Sequence, residues 1–268
     1  MERAVAVALV ILALSVSPAN LQAQIGGTSI TAERVSIDQY RPRIAAAADG
    51  SFAIAWETLE ESQFATEWKI AVQRYAANGS PVGPLNLFDP ESGCFALDSW
   101  TFDGMQNVEL AFNGAGQLLV LMEHFGEYDI ITTSQRSSEL TLGLVDQNGA
   151  IVDLGNSANC LQHKFIFVGA DEQDRPRMAQ TNSGLVVITD AFFGGANFRN
   201  VGMQFYDLAL NEVGEVVIPH DDEGSLEGFH VYPDVATNGS TLLATWHECP
   251  YIDGQGNIEE CDVMVQFA

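Results

Sequence analysis

Three features of this sequence predict an all-β fold. A strand–turn–strand pattern recurs four times along the chain. The strands inside it are apolar on both faces. No long amphipathic helix interrupts them. An apolar content of 47% is ample for a core.

The first copy, Pro42 to Glu57, reads P-R-I-A-A-A-A-D-G-S-F-A-I-A-W-E. Its Asp49-Gly50 pair marks a tight turn between two strands. Val108-Glu109-Leu110-Ala111 repeats the opening, with Ala115-Gly116 at the turn and Leu118 to Glu123 after it. A third copy starts at Pro176-Arg177-Met178-Ala179, turns at Ser183-Gly184 and runs on to Asp190. The fourth starts at Pro233-Asp234-Val235-Ala236, turns at Asn238-Gly239 and runs to Glu248.

Each copy has a second half. In the first, Trp68 to Ala76 is followed by Asn78-Gly79 and Pro81 to Phe88. In the second, Glu139 to Val145 leads to Asn148-Gly149 and Ile151 to Leu154. In the third, Val201 to Leu210 leads through Gly214 to Glu215–Ile218. In the fourth, Cys261 to Ala268 supplies one strand only. Thr28 to Ile37 is the candidate for its missing partner.

Strands apolar on both sides need a sheet on each side. Phe52, Ile54 and Trp56 alternate with Ala53 and Ala55, and Leu118, Val120 and Met122 with Leu119 and Leu121. The predicted fold is therefore a β-propeller of four four-stranded antiparallel blades, closed by the N-terminal strand 28–37. The alternative is a fragment of a larger propeller. The repeats span about 38–90, 105–156, 173–220 and 231–268.

The N-terminus has its own character. Arg3 precedes an apolar run from Ala4 to Val16, and small-residue sites follow at Ser17-Pro18-Ala19 and Leu21-Gln22-Ala23. This reads as a signal peptide, residues 1–23, with 24–268 as one exported domain. A secreted or periplasmic, soluble protein without membrane insertion is expected. Thirty-six acidic against 11 basic residues give a net charge of −25. That charge excludes nucleic acid and anionic lipid as partners and suits cations or high salt.

The first copy resembles the propeller-type repeats of large secreted bacterial proteins. Those run P-x-V-A-x-x-x-D-G-x-F-V-V-A-W, then Q-R-F-D-x-x-G-x-P-V-G. Pro42 to Gly83 matches this pattern, including A-V-Q-R-Y-A-A-N-G-S-P-V-G. The resemblance implies a propeller and export, and carries no catalytic residues.

In such blades the tight turns share one rim and the long connections the other. Long loops on a rigid scaffold carry binding groups, so the long-loop rim is the expected functional face. The second strand of every copy ends in an acid: Glu57, Glu123, Asp190 and Glu248. Repeat symmetry gathers them there, where they suit calcium or a general acid and base. Arg43 and Arg177 are expected to neutralise part of this set. All five histidines, His124 and His247 among them, fall on the same face. Trp100 in a long loop offers a stacking surface. Asp253, Asn257 and Glu259 resemble part of a calcium loop without its full spacing. Four cysteines allow three pairings. Loop geometry favours Cys94–Cys160 and Cys249–Cys261.

No nucleophile elbow, phosphate loop or dinucleotide fingerprint is present. The leading expectation is a non-catalytic exported propeller that binds a ligand, glycan or protein through the long-loop face, with a cation at its mouth. The alternatives are a polysaccharide-acting hydrolase or lyase that uses paired carboxylates, and a structural envelope component.

Overall fold

Period-two apolar strands dictate sheets stacked face to face, and the structure is built that way. The computed structural model describes residues 38–61, 66–88, 100–130, 133–154, 163–166, 170–193, 199–218, 228–250 and 261–267. Blade 1 comprises β1 (Asp38–Ala46), β2 (Phe52–Glu61), β3 (Thr66–Tyr75) and β4 (Pro81–Phe88). Blade 2 comprises β5 (Trp100–Phe112), β6 (Leu118–Ile130), β7 (Thr133–Val145) and β8 (His163–Ile166). Blade 3 comprises β9 (Ala170–Gln180), β10 (Gly184–Phe193), β11 (Arg199–Asp207) and β12 (Glu212–Val217). Blade 4 comprises β13 (Gly228–Thr237), β14 (Leu242–Pro250) and β15 (Asp262–Phe267). Pairing within each blade is antiparallel. One parallel bridge, Trp68 to Gly104, joins blades 1 and 2 into a single sheet.

Three apolar interfaces lie between successive blades. Ala53, Ala55, Ile70 and Val72 meet Leu118, Val120 and Met122. The alternate residues of the same strand, Leu119 and Leu121, turn the other way and meet Leu185 and Val187. Val186 and Ile188 then face Leu242, Ala244 and Trp246. Strands β6 and β10 thus each serve two cores.

The fold is all-β and propeller-like, but the expected four-blade closure is not seen among the described residues. Residues 28–37 lie outside them. Several boundaries also move. The connections read as long loops at 58–67 and 124–138 are largely strand, because β2 reaches Glu61 and β6 reaches Ile130. Ile151 makes only an isolated bridge to Val145, and β8 supplies the rest of that outer edge. Ile166 is buried against β7 there.

The third C-to-D turn is not at Gly214. It spans Asp207 to Asn211, where the Asp207 carboxylate accepts the Ala209 and Asn211 amides. Gly214 sits inside β12 at φ 75°, the place that Gly83 holds in β4 at φ 71°. Leu210 takes the left-handed turn position at φ 64°, where the first two copies have Gly79 and Gly149. A non-glycine residue there costs about 1 kcal/mol. Burial of the leucine in the second interface contributes about 2 kcal/mol and outweighs it. Leu210→Gly should therefore destabilise the protein by about 1 kcal/mol in urea unfolding, despite relieving the backbone.

Candidate functional site

The inner strand of each blade bulges at one equivalent place. Arg41, Asn107, Arg175 and Tyr232 occupy it, with φ of 45°, 51°, 48° and 57°. Pairing slips one step there in β1, β5, β9 and β13. In blades 1 to 3 each bulge lies beside the acid of the second strand of its own blade, whereas in blade 4 that register position is His247 and Glu248 falls one step past it.

The acids hold the bulges in place. Glu57 accepts the Asn107 backbone N–H of the next blade at 2.8 Å and takes Arg41 of its own blade at 3.3 Å. Glu123 accepts the Arg175 N–H at 3.4 Å, Asn107 Nδ2 at 2.7 Å and Gln106 Nε2 at 2.7 Å. Asp190 accepts the Tyr232 N–H at 3.5 Å and pairs with Arg175 at 2.9 Å. Asn107 and Arg175 therefore each link two acids, the backbone to one and the side chain to the other. Glu57, Glu123 and Asp190 are at most 2% exposed.

Arg43 and Arg177 do not neutralise these acids. Both pair with Glu109, each at 3.1 Å. Glu109 holds the same slot in β5 that the arginines hold in β1 and β9, so the repeated slot pairs with itself. Arg41 and Arg175, two residues earlier, are the partners of the acid row. The sequence signal was their common offset before Arg43 and Arg177. It went unread because the four bulge side chains differ in type.

Glu248 is different. It is about one-third exposed, with His230 Nε2 3.9 Å away. A cleft of about 310 Å³ lies between blades 3 and 4, lined by Arg175 and Arg177 of β9 and by Tyr232, Asp234 and His247, and Glu248 does not line it. Tyr232 is 56% exposed, lies 4.4 Å from the Arg175 guanidinium and 5.6 Å from the His247 ring.

The other expected residues scatter. His124 is buried inside β6 rather than placed on a loop, because the strand runs past it. Trp100 starts β5 rather than lying in a loop. Asp253, Asn257 and Glu259 fall outside the described residues, as do Cys94 and Cys160. The Cys249–Cys261 disulfide is present. Among the described residues no three His, Cys, Asp or Glu side chains gather as metal ligands. Glu57, Glu123 and Asp190 meet amide and guanidinium donors instead.

No protein-family model and no curated protein matches the chain. Its fold is similar to that of an α-L-arabinofuranosidase from Fusarium graminearum, solved with an iminosugar inhibitor. The TM-score is 0.50 at 10% identity, over 86% of this chain and 62% of that one. A thermostable family-43 glycoside hydrolase is similar at TM-score 0.44 and 13% identity, over 86% and 70%. An α-L-arabinanase from Cellvibrio cellulosa, complexed with arabinohexaose, aligns at TM-score 0.39 and 9% identity, over 85% and 72%. The Fusarium likeness overturns the leading expectation of a non-catalytic binding propeller and favours the hydrolase alternative. No linear motif in the sequence distinguishes the two.

Two outcomes follow from this geometry. Arg175→Ala leaves Asp190 buried without its counter-charge and should cost about 3 kcal/mol in chemical denaturation, somewhat less because the arginine is partly exposed. Burial raises the Glu139 pKa. A carboxyl with a raised folded-state pKa stabilises at low pH and loses that contribution as pH rises. Glu139→Gln should thus raise Tm at about pH 7 and leave it unchanged at about pH 3.

Proposed function

We propose that this chain hydrolyses a neutral polysaccharide at the cleft beside Tyr232. The observation that carries the reading is an exposed aromatic ring that shares one cleft with Asp234 and His247, on a fold similar to that of a glycosidase. A tyrosine face packs against the C–H face of a sugar ring, and nearby polar groups orient it. The net charge of −25 repels polyanionic glycans, which leaves neutral chains as substrate.

Glycoside hydrolysis needs one carboxylic acid to protonate the leaving oxygen and a second carboxylate to activate water or attack the sugar. Glu57, Glu123 and Asp190 are poorly suited, being buried and already occupied by hydrogen bonds. Asp234 is the carboxylate that lines the cleft, and it takes the role of base. It pairs in register with Thr245, so it shares a face of the sheet with His247, two residues further along the strand. His247 lines the same cleft and takes the role of proton donor in place of a second carboxyl. Glu248, three residues from Thr245, lies on the opposite face.

Export belongs to the same proposal. The signal-like residues 1–23 and the Cys249–Cys261 disulfide both support an oxidising compartment, secreted or periplasmic.

The test is sugar release from arabinan and xylan by the purified protein. His247→Gln and Asp234→Asn should each lower kcat about 100-fold or more without loss of fold. Tyr232→Ala should act mainly on KM. Full activity in both the His247 and Asp234 variants, or no release from either polymer by the wild type, would sink the reading.

A further inference from the structure

The opposite rim, where the tight turns lie, carries a cavity that the hydrolase reading does not use. Its volume is about 1030 Å³, at the upper end for a small-molecule site. It spans the A-to-B turns of blades 1, 2 and 3, with an alanine-rich wall at Ala46–Ala48 and Ala76–Ala77. Arg74 lines it and is 5% exposed. Its guanidinium lies 5.0 Å from the Phe112 ring and donates from Nη1 to the Asp146 carbonyl. Its Nε–H has no hydrogen-bond partner.

A buried guanidinium donor without an acceptor costs of order 1–3 kcal/mol, so an occupant that accepts from it is favoured. The charge around it selects the occupant. Asp49 and Asp146 both act electrostatically on Arg74. Two carboxylates against one guanidinium disfavour an anionic ligand. A neutral ligand rich in hydroxyl oxygens meets no such penalty. Gln147 donates its Nε2 to the Ala115 carbonyl and offers its side-chain oxygen to a ligand hydroxyl, and the alanines match the C–H faces of sugar rings.

We propose that this cavity is a second glycan site, which holds a neutral oligosaccharide through Arg74 and Gln147 on the rim away from the cleft. Only the ligand class rests on the hydrolase reading. A second site would keep a polymer attached while the cleft works on it, since linked sites raise local concentration.

The experiment is calorimetric titration of xylohexaose and arabinohexaose into the Asp234→Asn protein, which prevents turnover. Two sites are expected for at least one hexasaccharide. Adding Tyr232→Ala should remove the cleft site and leave one. Adding Arg74→Met or Gln147→Ala should instead weaken the other site about tenfold. Gln147 is exposed, so its variant still reports if Arg74→Met fails to fold. Binding that vanishes with Tyr232→Ala and is unchanged by Gln147→Ala overturns the second site and leaves the hydrolase reading intact. No binding of either hexasaccharide also overturns it. Binding at the Arg74 cavity in a wild type that hydrolyses neither polymer keeps the second site and removes the hydrolase.

Discussion

The contact on which the arrangement depends is a buried carboxylate accepting a backbone N–H from the next blade. Apolar packing brings blades together but does not fix their sliding, because one smooth β surface fits another at several offsets. The bonds Glu57 to Asn107, Glu123 to Arg175 and Asp190 to Tyr232 fix it. Each needs an amide that the strand ladder has released, and a bulge releases one. The positive φ of each bulge residue costs about 1 kcal/mol. A hydrogen bond to a charged group returns about 1.5–3 kcal/mol, so the strained backbone is retained.

This use of the acids limits the chemistry they can do. A carboxylate with both oxygens occupied and 2% exposure or less cannot reach a glycosidic oxygen. The row that looks most catalytic in the sequence is the row most engaged in holding the blades. The Arg43–Glu109–Arg177 cluster follows the same rule one step along the strand, as a charge alternation across three copies. Even the glutamine of the repeat has a structural use. Gln73 donates to the Arg74 and Val82 carbonyls and Gln204 to those of Phe205 and Val213, bracing the irregular pairing of β4 and β12.

What the sequence made legible was whatever depends on side-chain period. The two-faced strands were readable at Leu118 to Met122, and so were the Asp49-Gly50 and Asn78-Gly79 turns. The acid row was readable at Glu57, Glu123 and Asp190, which share one slot, but in the fourth copy that slot holds His247, one residue before the expected Glu248. The bulges were not, since Arg41, Asn107, Arg175 and Tyr232 share a backbone shape and no chemistry. Leu210 hid the third turn because burial overrode the usual glycine. The extension of β6 past His124 was hidden by the polar run His124 to Asp129, which lacks the alternation of a buried strand.

A repeat makes every blade alike, so a site must come from a break in the likeness. Blade 4 supplies that break. In the first three blades the acid is sealed beneath the following bulge. In blade 4 the same register position is His247, which lines the cleft instead. The fourth bulge residue is likewise an aromatic, where the first three carry polar side chains directed to their own acid. Tyr232 gives its N–H to Asp190 and leaves its ring to the cleft. Asp234 stands in the slot held by arginine in blades 1 and 3, which adds a carboxylate beside that ring. These three departures fall on two adjacent strands, which is why the chemistry is assigned there and not to the symmetric row.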